Sequence, residues 1–256
     1  MNYFDSQIAA ERYKKGRPDF HANTIKQIQG FLQLNNKFDK ALDIACGTGL
    51  STKALLEIAN SVWGTDSSSE MLERAFKNEK IQYNLAAAEH QPFNDHEFDL
   101  ITVSSGVHWF DIDRFLSESN RLLKSKSWLV LYENYFLSEM EGVEAFAEWF
   151  PSSYLRKYPS PPRNNNYDWS SENLRSKNFE FITELRFKNS VAFDKEQLIS
   201  YLTTQSNIIS AVARGESVYA EVEDWLRQEL SQFFGTGETS PSLYFGNWIK
   251  FIRRID

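Results

Sequence analysis

The sequence predicts an α/β fold, a mostly parallel sheet with helices on both faces. Three observations carry that prediction. Between residues 41 and 133, short apolar runs of strand length alternate with segments of helical spacing in five β/α repeats. The first run, Ala41-Leu42-Asp43-Ile44-Ala45, ends in Cys46-Gly47-Thr48-Gly49, and a helical pattern with Ala54, Leu55, Ile58 and Ala59 on one face starts at once. Strand, glycine turn and helix in that order present backbone N–H groups to a nucleotide-like ligand. Finally, 256 residues with 41% hydrophobic and 25% charged content suit one large domain with a sizeable core.

The elements follow in order. Tyr13-Lys14-Lys15-Gly16-Arg17-Pro18 is a polar entry segment, and an amphipathic helix after Pro18 buries Ile25, Ile28 and Leu32. Strand one covers residues 41–45, and its helix runs over about 50–59. Strand two passes through Ser61-Val62-Trp63-Gly64 and delivers Asp66. Ser67 with Glu70 forms a capping box that opens a helix through Met71, Leu72, Ala75 and Phe76. Residues 81–85 make strand three and 98–103 strand four. Asp111 caps a helix with Ile112, Phe115, Leu116, Leu122 and Leu123 at helical spacing, and 128–133 is strand five.

The pattern changes after Glu133. Pro151, Pro159, Pro161, Pro162 and Asn164-Asn165-Asn166 mark 151–171 as loop. Phe179, Phe181, Thr183, Leu185 and Phe187 alternate with largely polar residues, the mark of a strand with one polar face. Helical patterns fill about 194–234, and 243–253 is a last strand. The two late strands, paired antiparallel with helices between them, complete a seven-stranded sheet and add a helical cap. No linker interrupts the chain, so residues 1–256 are expected to form a single domain. In it, 35–134 is the ligand-binding core, and 1–34 with 135–256 supplies cap, pocket and sheet-completing elements. Gly235-Thr236-Gly237 follows a helical pattern and is expected to be a helix C-cap.

Composition excludes several classes. Lys and Arg total 28 against 35 acids, a net charge of −7, without a basic cluster longer than a pair, so nucleic acid is not an expected partner. No apolar run approaches the ~18 residues that span a bilayer, and Met1-Asn2-Tyr3-Phe4-Asp5 lacks the features of a signal peptide. The single Cys46 permits no internal disulfide, and a cytoplasmic location is the natural expectation. Neither His21, His90 nor His96 has a partner at metal-ligand spacing, so no metal is expected.

The turn itself indicates the ligand. A dinucleotide fingerprint would place a third glycine at position 52, where Thr52 stands. Asp43, upstream of the turn, would repel a pyrophosphate but suits the cationic amino-acid end of S-adenosylmethionine. Asp66, after the second strand, is placed to accept from both ribose hydroxyls.

At these residues the chain resembles the class I S-adenosylmethionine-dependent methyltransferases. The resemblance rests on D-x-A-C-G-T-G at 43–49, on Asp66, on A-E-H-Q-P-F-N-D-H-E-F-D at 88–99, and on His108-Trp109-Phe110-Asp111. The last element is similar to the branch that contains trans-aconitate methyltransferases and related small-molecule enzymes. It implies a Rossmann-like fold, S-adenosylmethionine as cofactor and a small organic substrate. Cofactor contacts would come from Asp43, Ala45, Cys46, Gly47, Thr48, Gly49, Asp66, Ser67, Met71, Ala88, Glu89 and Ser104. The family often places an acid just before the alanine; Ala87 stands there, leaving Glu89 or the backbone of Ala88 to take the adenine amino group.

His108, beside Trp109 at the end of strand four, is the candidate catalytic group, and Cys46 is expected to pack beneath the cofactor. In relatives with a similar Y-x-x-x-R-P segment the N-terminus folds over the active site, which makes Tyr13 and Arg17, with Trp109, substrate or lid residues. Trp149, Phe150 and Tyr201 are candidate pocket walls, although core packing explains them equally well. With no second base in view, a carboxylate oxygen, nucleophilic without proton removal, is favoured as acceptor over a phenol or carbon acid. Two other readings stay open: a protein that binds the cofactor without turnover, and an NAD-dependent oxidoreductase.

Overall fold

The computed structural model describes residues 6–234 and 240–256, so the expected C-cap at Gly235-Thr236-Gly237 and the segment 1–5 lie outside the described residues. Seven strands are present among them: β1 (Phe38–Ile44), β2 (Ala59–Asp66), β3 (Ile81–Leu85), β4 (Phe98–Ser104), β5 (Leu123–Met140), β6 (Phe179–Ala192) and β7 (Ser242–Arg254). They form one sheet in the order β3-β2-β1-β4-β5-β7-β6. Strand β1 pairs in parallel with both β2 and β4, and the parallel pairing continues to β3 on one side and β5 on the other. The order reverses between β1 and β4. In open α/β sheets, the crevice beyond the carboxyl ends of strands at such a reversal is where ligands bind.

The last two strands run the other way. Arg253 meets the Lys126 carbonyl while Glu141 meets that of Ser242, so β7 is antiparallel to β5. Ile255 donates to Asn178 and Phe193 to Pro241, which sets β6 antiparallel to β7.

Side-chain alternation explains the layers. Leu42, Ile44, Ile101, Val103, Leu129 and Leu131 share one apolar cluster, while Ala41, Leu100, Val130 and Tyr132 belong to another. Successive residues of a strand point to opposite faces, so the two clusters cover the two sides of the sheet. Helix α5 (Ile112–Leu122) packs Phe115 and Leu116 into the first. Helix α2 (His21–Leu32) supplies Ile25 and Ile28, and α3 (Leu50–Leu55) supplies Leu55, to the second.

The chain divides into two compact units. One comprises 19–134, 163–187 and 247–256 and holds the five parallel strands with α2, α3, α4 (Ser69–Glu73) and α5. The other comprises, among the described residues, 6–18, 135–162, 188–234 and 240–246. It holds α1 (Gln7–Gly16), α6 (Glu144–Trp149), α7 (Leu155–Lys157), α9 (Lys195–Leu202), α10 (Ser206–Ala213) and α11 (Tyr219–Leu230), while the short α8 (Ser171–Ser176) belongs to the first unit. Residues 19–34, expected outside the core, thus pack with the sheet.

Several expected elements are corrected. The polar entry segment is the last turn of α1, whose buried positions are only Ala9, Ala10 and Gly16, small residues with a weak apolar signal. The cap of α4 is Ser68, not Ser67: its hydroxyl accepts from the Met71 amide, while Ser67 is exposed. Helix α3 stops at Leu55, and Ala59 already begins β2. Residues 151–157, within the stretch expected as loop, continue α6 through a π-helical turn, Phe150–Tyr154, that accommodates Pro151, whose ring and missing N–H an ordinary ladder cannot hold. Trp149, Phe150 and Tyr201, the candidate walls, are buried; Phe136 meets Phe150 and Tyr201 edge-on at 5.0 and 5.8 Å, so they form an aromatic core.

Candidate functional site

The glycine turn closes β1 with three left-handed residues, Ala45 (φ 57°), Gly47 (φ 55°) and Gly49 (φ 77°). The amide of Cys46 donates to Thr65 of β2 at 3.0 Å, which ties the turn to the neighbouring strand. Glycine is required at position 49 for a reason the sequence did not disclose. Besides its positive φ, a Cβ there would collide with the hydroxyl of Tyr83, which in turn donates to the Phe76 carbonyl at 2.8 Å. The Gly49 Cα therefore faces a protein side chain rather than a ligand.

Asp43 is fully buried. Its Oδ2 accepts from Ser51 at 2.6 Å and Thr52 at 2.7 Å, and its Oδ1 from Thr102 at 3.0 Å. Burial pushes its pKa up to about 6, against the pull of the three hydroxyls, and nearby Asp66 pushes the same way. A carboxylate with no solvent-facing side, engaged by three hydroxyls, braces the turn from beneath. Thr52, noted only for not being glycine, is one of those braces.

Asp66 differs. It is half-buried, and its Oδ2 accepts from the Gly47 amide at 2.8 Å and its Oδ1 from the Ser68 amide at 2.9 Å. Burial raises its pKa, while these backbone hydrogen bonds lower it. The Gly47 N–H, expected to be offered to a ligand, is thus spent on Asp66. Each carboxylate oxygen still has a lone pair to give. Thr48, at the centre of the turn, is buried, and its hydroxyl has no hydrogen-bond partner. Cys46 is buried, and burial raises its thiol pKa well above normal, so it is an inert packing residue.

Around the turn lie the remaining candidates of this unit. Met71 is buried in α4, and Ala88 is buried in the core cluster that includes Leu42 and Ile44. The Glu89 carboxylate accepts from the Asp111 amide at 2.8 Å, which links the loop after β3 to the start of α5. Leu85 at the tip of β3 is a largely exposed apolar side chain beside Ala87-Ala88.

The end of β4 abuts the turn. A Cβ on Gly106 would stand 2.9 Å from the Cβ of Ala45. Ser104 is half-buried and, like His21, bonds to the hydroxyl of Tyr132; the His21 Nδ1 to Tyr132 distance is 2.9 Å. His108 occupies a 3-10 turn, Val107–Trp109, and is buried against Trp109, whose own ring is exposed. Burial, and then the charge of Arg163, lower the His108 pKa to about 4. His108 is therefore a neutral imidazole of weak basicity at neutral pH, which makes it a poor base for a phenol. His90 and His96 are exposed.

Sequence reasoning missed three participants. Tyr83 carries no motif. His21 has no partner at metal-ligand spacing in the sequence, yet in the fold its ring bonds to the Tyr132 hydroxyl, which also meets Ser104 of β4. Arg163 lies in the proline- and asparagine-rich stretch, but the amide of Asn164 donates to the His108 carbonyl at 3.0 Å, and the Arg163 guanidinium lies 5.8 Å from the Trp109 ring centre. Tyr13 and Arg17 belong to the other unit. There the Arg17 guanidinium donates to the Thr204 carbonyl at 2.9 Å and lies over the rings of Tyr13 and Tyr201 at 4.7 and 5.3 Å. Its Nε is buried and without a hydrogen-bond partner. Among the described residues no three His, Cys, Asp or Glu side chains gather as a metal site, and no helix is long and apolar enough to cross a membrane.

The turn, the acid after β2 and the strand order now stand together, and comparison with known proteins agrees with them. Residues 42–131 match the methyltransferase domain family. A Dictyostelium discoideum protein that carries a methyltransferase name is 32% identical over 131 residues, 50% of this chain and 49% of that protein. The chain spans about half the length of the curated relatives it matches. Among solved structures, one named as a type II methyltransferase from Anaeromyxobacter dehalogenans superposes with a TM-score of 0.71 at 20% identity, covering 93% of this chain and 98% of that one. A phosphoethanolamine N-methyltransferase from Haemonchus contortus, solved with S-adenosylhomocysteine, reaches 0.53 at 15% identity, over 99% of this chain and 59% of that one. At these identities the solved structures speak for the fold.

Proposed function

We propose that this chain is an S-adenosylmethionine-dependent methyltransferase acting on a small organic acid, with a carboxylate oxygen as the methyl acceptor. The observation that carries the cofactor reading is the pair formed by the glycine turn and Asp66. Asp66 is fixed by two backbone amides with lone pairs left over, at the carboxyl end of the strand beside the turn. The orphan hydroxyl of Thr48 supports the fit, since a buried hydroxyl without a partner suits a polar ligand at that place. In this reading Asp66 holds the ribose and Gly47 with Thr48 faces the amino-acid end. Ala88 and Glu89 border the adenine, with exposed Leu85 beside them. Asp43, sealed below, keeps the turn in shape.

When bound, the cofactor supplies a sulfonium-activated methyl group, which passes to the acceptor oxygen while the electron pair of the broken C–S bond stays on sulfur. The chain's own task is alignment and exclusion of water. A carboxylate needs no base, and the weakly basic His108 favours such an acceptor.

The test is a methyl-transfer assay over small carboxylic acids, phenols and quinone precursors. Turnover confined to acids is expected. Preference for phenols or quinone precursors would overturn the acceptor reading.

A further inference from the structure

The strap that follows Pro162 returns a cation to the end of β4. It is anchored repeatedly within the sheet unit. The Asn164 amide bonds to the His108 carbonyl at 3.0 Å, the Tyr167 hydroxyl bonds to Asp113 at 2.8 Å, and Tyr167 and Trp169 pack against the core cluster of Phe98 and Phe115. Arg163 is thereby set over the exposed Trp109 ring, within cation–π range. From there, neighbours lead back to the glycine turn: His108 stands in the 3-10 turn that follows Gly106, and Gly106 lies against Ala45. The placement runs against the chain's net charge of −7. A fixed cation beside an imidazole makes protonation of that imidazole costly, so this corner is ill suited to removing a proton. It is well suited to holding an anion, for which a guanidinium offers two parallel N–H groups and Trp109 an apolar wall.

We infer that Arg163 is a specificity-determining residue that binds a carboxylate of the methyl acceptor beside His108 and Trp109. The inference rests on the reading of the adjoining turn as the cofactor site, and it names a recognition group at the reacting end. Lysine at this position would keep the charge but lose the planar fork, so Arg163→Lys should act as a partial substitute.

Benzoate serves as the charged probe and benzamide as its neutral counterpart. Each is titrated into the full chain, with and without S-adenosylhomocysteine, while ring resonances of isotope-labelled His108 and Trp109 are followed by NMR. Benzoate is expected to shift both sets and benzamide to shift neither. Arg163→Met should weaken the benzoate response at least tenfold and Arg163→Lys less, with S-adenosylhomocysteine affinity within twofold of wild type in both. In Arg163→Met the His108 titration midpoint should also move up, which checks that the fold around His108 is kept. Three results would overturn the inference: no benzoate response up to its solubility limit, equal responses to the two probes, or a benzoate response that survives in Arg163→Met. Failure of S-adenosylhomocysteine to bind would strike the cofactor reading alone, because the probe titration is also run without it.

Discussion

The carboxyl ends of β1 and β4 lie side by side in the sheet, yet they are built on opposite plans. At β1 two aspartates hold a glycine turn in place through hydroxyl and backbone donors. At β4 a neutral histidine, an exposed tryptophan and an arginine from a distant strap form the corner. The first is overdetermined by bonds internal to the protein and suits a ligand of fixed shape. The second is lined by groups whose charge and size can change without touching the turn, as a variable acceptor would require. On the proposed reading, one cofactor turn would serve different acceptors through changes confined to the second region.

The comparison can be broken most forcefully at Gly49. Gly49→Val imposes a positive φ on a β-branched residue, about 1–2 kcal/mol, and drives its side chain into Tyr83, about 1–3 kcal/mol more. Denaturant unfolding should show a loss of roughly 2–5 kcal/mol. In Gly49→Ala, adding Tyr83→Phe removes the atom that the new methyl meets, and part of the loss should return. No recovery would leave the backbone conformation alone as the cause.

Asp43 gives the next largest effect, and it depends on pH. Its folded pKa, about 6, lies above the unfolded 3.8, so the folded state holds a proton more tightly. The resulting stability is complete below about pH 4 and is lost as pH rises through 6, an integrated change of about 3 kcal/mol. His21 and His108, both lowered to about 4 mainly by burial, act in the opposite sense, gaining stability as pH rises from about 4 to 6.5. Subtracting the Asp43→Asn curve from that of wild type isolates the aspartate. The difference should fall with rising pH across this window; a flat difference would mean that Asp43 is not held against its solvation preference.

The smallest effect is expected at Tyr132. Tyr132→Phe removes the hydroxyl that joins His21 to Ser104 and should cost about 1 kcal/mol, with S-adenosylhomocysteine affinity unchanged. A large loss of affinity would show that the two strand ends are coupled.

What could be read from the sequence follows the same division. The turn at 43–49, Asp66, strand β3 and the Asp111 cap are encoded by neighbours within a few residues, and the structure shows each where it was expected. The first of the late strands was legible for the same reason, from the alternation over 179–187. The hidden features join distant parts of the chain. Thr102 reaches Asp43 across 59 positions, and His21 reaches Tyr132 across 111. Arg163 comes from a stretch whose prolines and asparagines signal only the absence of regular structure. Helix α1 escaped notice because it buries alanine and glycine, residues too small to mark a face. Periodicity reports which way a side chain points, not which remote group it will meet.

The central claim is that the turn with Asp66 binds S-adenosylmethionine. Titration calorimetry of the full chain with S-adenosylhomocysteine, with NAD as control, tests it most directly. S-adenosylhomocysteine is expected to bind and NAD not to. Asp66→Ala should weaken the former roughly ten- to a hundredfold, the equivalent of about 1.5–3 kcal/mol for hydrogen bonds to a charged group. Binding of NAD in preference, or unchanged S-adenosylhomocysteine affinity in a folded Asp66→Ala protein, would contradict the account.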